Sequence, residues 1–231
     1  MCNFSQNYRV HQHGSGREIS SGRISFVQSL VGLIGVIVLT TSIVSSALAA
    51  GSVERGQAKS ITCAACHGVD GKSINPEWPN LAGQHEKYIV DSLLAYKNEL
   101  RKDVLMSGQV ATLDDQAMED LAAYFAAQVP VKSAADPAVA SEGERLYRGG
   151  NIDKGISACI ACHGPTGRGI ADAGFPSLAG QHARYTEKQL LAYRSKTRQS
   201  DTEPNQVMRN ISVLLTEDEI KAVATYIEGL Q

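Results

Sequence analysis

Aromatic residues are scarce in this sequence, at 6% of 231 positions, and charge of one sign is absent as an excess: 22 basic side chains face 24 acidic ones. A nucleic-acid-binding chain would carry a basic stripe, so that class is excluded. With 43% hydrophobic residues, disorder is excluded as well. No run of alternating polar and apolar residues marks a strand. Cysteine and methionine are also few, at five and four, and their positions carry most of the chemical information in the chain.

One long apolar run exists, and it lies near the N-terminus. Residues 1–25 are polar and slightly basic, with Arg9, Arg17 and Arg23 against Glu18, and Leu30 to Val44 follow as an apolar stretch. Ala47-Leu48-Ala49 then gives the small-x-small pattern of a signal-peptidase site, so residues 1–49 read as an export signal cleaved after Ala49. Phe26 to Ala50 is charge-free and nearly long enough to span a bilayer, which keeps an uncleaved anchor as the alternative. The n-region is longer than usual, which points to a true start codon further downstream. Cys2 falls in this segment, so the mature chain holds four cysteines, in two Cys-x-x-Cys pairs.

Past that segment the chain repeats itself. Cys63-Ala64-Ala65-Cys66-His67-Gly68 returns 96 residues later as Cys159-Ile160-Ala161-Cys162-His163-Gly164. Pro79-Asn80-Leu81-Ala82-Gly83-Gln84-His85 returns at offset 97 as Pro176-Ser177-Leu178-Ala179-Gly180-Gln181-His182, and Leu93-Leu94-Ala95-Tyr96 as Leu190-Leu191-Ala192-Tyr193. Met106 matches Met208 at offset 102, as does everything from Leu113 against Leu215 onward. A period of roughly 100 residues is a duplicated domain, because solenoid units repeat at about 20 to 50. The domains are therefore expected at 50–130 and 139–231, joined by an Ala-, Ser- and Pro-containing linker at 131–138.

The periodicity inside each half predicts helices. Ile89, Leu93, Tyr96 and Leu100 recur at helical spacing, as do Met118, Leu121, Ala122 and Phe125, and in the second half Ile220, Val223, Ala224 and Ile227. Thr216 and Glu219 have the spacing of a capping box, and Asp114 holds the matching N-cap position. The fold class is all-α.

Cys-x-x-Cys-His has a mechanical reading. Two cysteines one helical turn apart clamp the porphyrin vinyl groups through thioethers, which sets the next imidazole under the iron. Two copies in register within an exported chain predict two covalently bound haem c groups, on Cys63 and Cys66 and on Cys159 and Cys162. A thioredoxin-like pair needs a strand-helix-strand setting that is not visible, and 92 residues between Cys66 and Cys159 are too many for a zinc ribbon. His67 and His163 are then the proximal iron ligands, and the Pro79 and Pro176 carbonyls are candidates to accept their other ring N–H.

For the sixth iron position the repeat sorts the methionines. Met118 aligns with Ile220 in the N4 position of a helix whose N′ residue is Leu113, which makes it a hydrophobic staple and core. Met106 and Met208 align with each other, each seven residues before the leucine that precedes the last helix, and complete two His/Met irons. His85 and His182 compete for the role, with a structural histidine near the haem edge as their other reading. Arg101 and Arg198 also repeat and are candidates to pair with haem propionates.

Both halves resemble class I cytochrome c domains, and the tandem, with Leu-Ala-Gly-Gln-His in each half and Leu146-Tyr147-Arg148-Gly149-Gly150 opening the second, is similar to the cytochrome c4 family over nearly all of residues 51–231. The resemblance implies two domains related by a pseudo-twofold axis, haems with propionate edges toward the interface, and His/Met ligation by His67 with Met106 and His163 with Met208. Two departures make the second haem's surroundings less well defined: about nine extra residues before Cys159 and five between Tyr193 and Met208.

A sixth site filled by methionine leaves one-electron exchange at the haem edge as the available chemistry, so the expected protein is a carrier and not an enzyme. The resemblance implies a monomer in the periplasm, passing electrons from a quinol-oxidising bc-type complex to a terminal oxidase or reductase. Membrane-surface association is open with the fate of the N-terminal segment. Two rivals remain: the haem subunit of a flavin-containing or other dehydrogenase, and a di-haem peroxidase, which would need an open iron. Charge divides unevenly, with 12 acidic against 8 basic side chains in residues 50–137 and 11 of each in 138–231. An acidic first domain is expected to steer a basic partner.

Overall fold

The computed structural model describes residues 50–135, 137–201 and 206–231. The export signal lies outside the described residues. Helices α1 (Val53–Lys59), α2 (Ile61–His67), α3 (Glu86–Lys97), α4 (Val104–Val110) and α5 (Asp115–Ala126) make up the first half. The second half repeats them as α6 (Pro137–Gly149), α7 (Ile160–His163), α8 (Ala183–Arg194), α9 (Val207–Ser212) and α10 (Glu217–Glu228). Among the described residues extended pairing is limited to two isolated bridges, Asn151 with Ile156 and Ile170 with Phe175.

Local chemistry sets the starts of these helices. Asp114 accepts from Ala117 N at 2.7 Å and Asp103 from Leu105 N and Met106 N at 3.1 and 3.2 Å, opening α5 and α4. The capping box at α10 is complete, with Glu219 N donating to Thr216 Oγ1 at 3.2 Å and Thr216 N to Glu219 Oε2 at 2.9 Å. Pro137 occupies the first position of α6, so the last two residues of the expected 131–138 linker are helical. Leu100, expected on the face of α3, lies beyond its end at Lys97. Glu99 takes φ 57° there, and Lys196 takes φ 61° after α8. These left-handed residues turn the chain so that Arg101 N and Arg198 N donate to Ala95 O and Ala192 O, each at 3.0 Å.

The described residues belong to one compact unit with two apolar cores. Ile89, Leu121, Ala122, Tyr124 and Phe125 build the first, with Cys63, Leu81 and Leu93 packed against it. Leu146, Leu190, Ile220, Val223 and Ile227 are among those that build the second, with Cys159, Leu178 and Met208 against it. Met118 is fully buried, as is its counterpart Ile220. In each half the first helix crosses the last at a glycine. A Cβ on Gly56 would stand 1.9 Å from Asp120 O, and one on Gly143 2.1 Å from Ala222 O. No other residue permits that approach.

Asp120 fastens the crossing in the first half. Its buried carboxylate accepts from Ser52 N at 3.0 Å, Arg55 Nε and Nη2 at 2.9 and 2.7 Å, Lys59 Nζ at 3.1 Å and Gln116 Nε2 at 3.2 Å. These donors, the Arg55 bonds foremost, hold its carboxyl well below the usual carboxylate range. The second half has Ala222 at the matching position and relies on Lys154 Nζ to Glu219 Oε1, 2.8 Å.

Candidate haem-attachment sites

Each Cys-x-x-Cys-His segment is a short helix ended by a glycine with positive φ, Gly68 at 78° and Gly164 at 75°. The loop after it is pinned by a tyrosine in both halves, but from different helices: Tyr124 of α5 donates to Val69 O and Tyr147 of α6 to Gly164 O, each at 2.7 Å. Cys63, Cys66, Cys159 and Cys162 are all half-buried free thiols. Burial raises the pKa of Cys63 and pushes that of Cys159 up to about 11. A dithiol redox pair needs the reverse, a thiol lowered by a cation or helix N-terminus.

His67 and His163 are 7% and 6% exposed. Their Nδ1 atoms donate to Pro79 O at 2.9 Å and Pro176 O at 3.0 Å, the two acceptors anticipated from sequence. This bond fixes the tautomer and leaves Nε2 with its lone pair for a metal. Burial lowers both histidine pKa values, opposed in each case by the proline carbonyl, so both imidazoles are neutral at pH 7 as ligation requires.

Met106 lies in α4 and Met208 in α9, both half-buried. Helix α4 packs on α3 and α9 on α8, so the two methionines have matching places in their halves. Beside Met208, Arg209 is paired with Asp201 at 2.6 Å.

His85 and His182 are occupied elsewhere. His85 Nε2 bonds Arg168 O at 2.8 Å and His182 Nε2 bonds Ser73 O at 2.9 Å, each across to the opposite half. Those bonds use the nitrogen that an iron ligand would offer. The glutamine of each repeat joins the same seam: Gln84 and Gln181 bond the backbone of Ser177 and Asn80. Sequence reasoning missed these glutamines, although their repetition in Leu-Ala-Gly-Gln-His was the available signal.

The donor set fits haem c. Paired thiols, a neutral buried imidazole and an apolar lining occur in each half, and a thioether occupies the matching place in both. The fold and these motifs define a c-type cytochrome of two tandem domains. The cytochrome c family model matches residues 53–127 and again 140–231. A cytochrome c4 of Pseudomonas aeruginosa is 44% identical over 194 residues, covering 84% of this chain and 96% of that protein. A thiosulfate dehydrogenase electron acceptor of Thiomonas intermedia is 38% identical over 171 residues, 72% of this chain and 77% of that one. The crystal structure of reduced recombinant cytochrome c4 from Pseudomonas stutzeri superposes with a TM-score of 0.76 at 44% identity, covering 79% of this chain and all of that one. The chain belongs to the cytochrome c4 family. It is a di-haem electron carrier with two covalently bound haem c groups and redox proteins as partners.

Proposed function

We propose that the first haem is bound through Cys63 and Cys66 with His67 and Met106 as axial ligands, and the second through Cys159 and Cys162 with His163 and Met208. The observation that carries this reading is the matched pair of proximal histidines, each held by its Nδ1 on a proline carbonyl 12 or 13 residues downstream. When bound, each haem supplies one-electron exchange at its iron. The protein's own residues hold the imidazoles neutral and oriented, and they exclude water from each core.

The domains run over 50–130 and 139–231, each folding around its own haem, with residues 1–49 as the export signal. The carrier works as a monomer in the periplasm, taking electrons from a quinol-oxidising bc-type complex and delivering them to a terminal oxidase or reductase. Among the described residues no helix is long and apolar enough to cross a membrane.

A second reading is favoured by the Thiomonas relative: the electron donor is a thiosulfate dehydrogenase. Stopped-flow reduction of the oxidised protein, first by a quinol-oxidising bc-type complex and then by a thiosulfate dehydrogenase, separates the two. Fast reduction by the dehydrogenase alone would replace the first donor. Pyridine haemochrome analysis should give two covalent haems per chain, and carbon monoxide should fail to bind the reduced protein. One haem would overturn the two-haem reading, whereas two haems with stoichiometric carbon monoxide binding would overturn the methionine assignment and restore the peroxidase reading.

A further inference from the structure

Met208 is carried by α9, a helix of six residues, and the start of that helix is built differently from the start of α4 in the first half. Asp103 caps α4 from the adjacent position, accepting from Leu105 N and Met106 N. At α9 the matching position is Gln206, which takes a left-handed φ of 55° and makes no side-chain cap bond. The cap comes instead from Asp201, whose Oδ2 accepts from Arg209 N at 2.8 Å. Asp201 lies in the stretch between Tyr193 and Met208 that is five residues longer than its first-half counterpart.

The same carboxylate takes the Arg209 side chain, whose Nε donates to Oδ1 at 2.6 Å. The Arg209 and Asp201 side chains are 11% and 9% exposed, so the pair is largely withdrawn from water, where charged hydrogen bonds are short and hold their geometry. Asp201 thus grips both the backbone and the side chain of the residue next to Met208. Met208 and Ile211 pack on the second core, while Arg209 and Ser212, three positions apart, share another face of α9. Among the described residues the buried side-chain nitrogen and oxygen atoms without a hydrogen-bond partner are Arg209 Nη2 and Ser212 Oγ, both on this helix. Buried polar atoms are nearly always paired, so selection for stability alone would not place them there. The offset that sets Met106 against Met208 sets Ser107 against Arg209 and Val110 against Ser212, so the first half has neither the cation nor the buried hydroxyl at these positions.

We propose that Asp201 is a positioning residue for the thioether of the second iron: through Arg209 it holds α9, and Met208 with it, whereas Met106 has no such brace. A thioether is a soft and weak ligand for oxidised iron, so the firmness with which its helix is held decides how readily another base replaces it. Without the carboxylate the enclosed guanidinium loses its counter-ion and is drawn toward water, and α9 moves with it. The two irons share their ligand types and differ in how tightly the sixth ligand is kept.

The inference rests on Met208 as a ligand, which Met208→His tests by itself, because half of the sulfur-to-iron band must then disappear. The experiment is an imidazole titration of the oxidised two-haem protein, followed through that band, for the unaltered chain and for Asp201→Asn. Imidazole displaces the thioether, so the concentration that removes each half of the band measures how firmly each methionine is held. In Asp201→Asn one half should disappear at roughly tenfold lower imidazole, and the other half where it does in the unaltered protein. A shift of both halves together, or of neither while the chain melts at lower temperature, would overturn the proposal. Combined with Met208→His, Asp201→Asn should leave the surviving half unmoved; a shift there would show that Asp201 does not act through Met208 and would overturn it as well. Should Asp201→Asn fail to fold, Arg209→Gln keeps the backbone bond and removes the ion pair. That variant must move the same half in the same direction, and an unmoved band contradicts the proposal.

Discussion

Asn80 and Gln181 hold each other across 101 residues of sequence: Asn80 N donates to Gln181 Oε1 and Gln181 Nε2 donates to Asn80 O, both at 2.9 Å. The pseudo-symmetric partners do the same, with Ser177 N donating to Gln84 Oε1 at 2.9 Å and Gln84 Nε2 to Ser177 O at 2.8 Å. Each glutamine satisfies both backbone groups of a residue in the opposite half. The seam between the halves is thus built from buried polar contacts, which are costly to leave half-made.

Removing one glutamine should therefore cost more than a surface change. Gln181→Ala strands a buried N–H and a carbonyl and should lower stability by about 2 to 4 kcal/mol. The double variant Gln84→Ala with Gln181→Ala should split the calorimetric transition into two, one per half. A single unshifted transition would mean that the seam does not couple the halves.

Gly56→Ala and Gly143→Ala place a methyl against backbone oxygen where the helices cross. Each should cost about 3 kcal/mol or somewhat more, because backbone cannot give way as a side chain can. Thermal unfolding followed through each haem band should show the loss in the half that carries the change.

Asp120→Asn tests the clamp on α1 through pH. The folded carboxyl has its pKa lowered, so its contribution is present above the unfolded value of about 3.9 and is lost as pH falls through the folded value. The variant should be less stable by about 2 kcal/mol at neutral pH. That gap should persist down to about pH 4 and narrow below it. Denaturant melts of both proteins across this range check it; a gap independent of pH would assign the effect to packing.

Charge reversal tests the steering of a basic partner. Glu86→Lys and Glu99→Lys, both exposed in the acidic half, should slow association several-fold at low salt, and Asp153→Lys and Asp218→Lys should do so much less. Asp114 is unsuitable because it caps α5. Equal losses in stopped-flow electron transfer, or no salt dependence, would contradict one-ended docking.

Much of the candidate site was legible in the sequence because the Cys-x-x-Cys-His spacing is local and because duplication prints each candidate position twice. That logic sorted Met118 into the core and anticipated the Pro79 and Pro176 acceptors. The helix ends were less legible: Leu100 keeps the apolar rhythm of α3, but the left-handed turn at Glu99 stops the helix before it. The seam was hidden for a different reason. Gln84, Gln181, His85 and His182 are polar residues whose partners lie about half the chain away, and no local periodicity reports such contacts. The repetition of Arg101 and Arg198 was legible, but their burial and their hydrogen bonds to the opposite half were not.

The sulfur-to-iron absorption band at the red edge of the oxidised spectrum tests the ligand assignment most directly. Met106→His and Met208→His should each remove half of its intensity and lower the potential of one haem, whereas Met118→Leu should leave both intact. A band that survives either histidine variant in full, or that disappears with Met118→Leu, would contradict the assignment of Met106 and Met208 to the two irons.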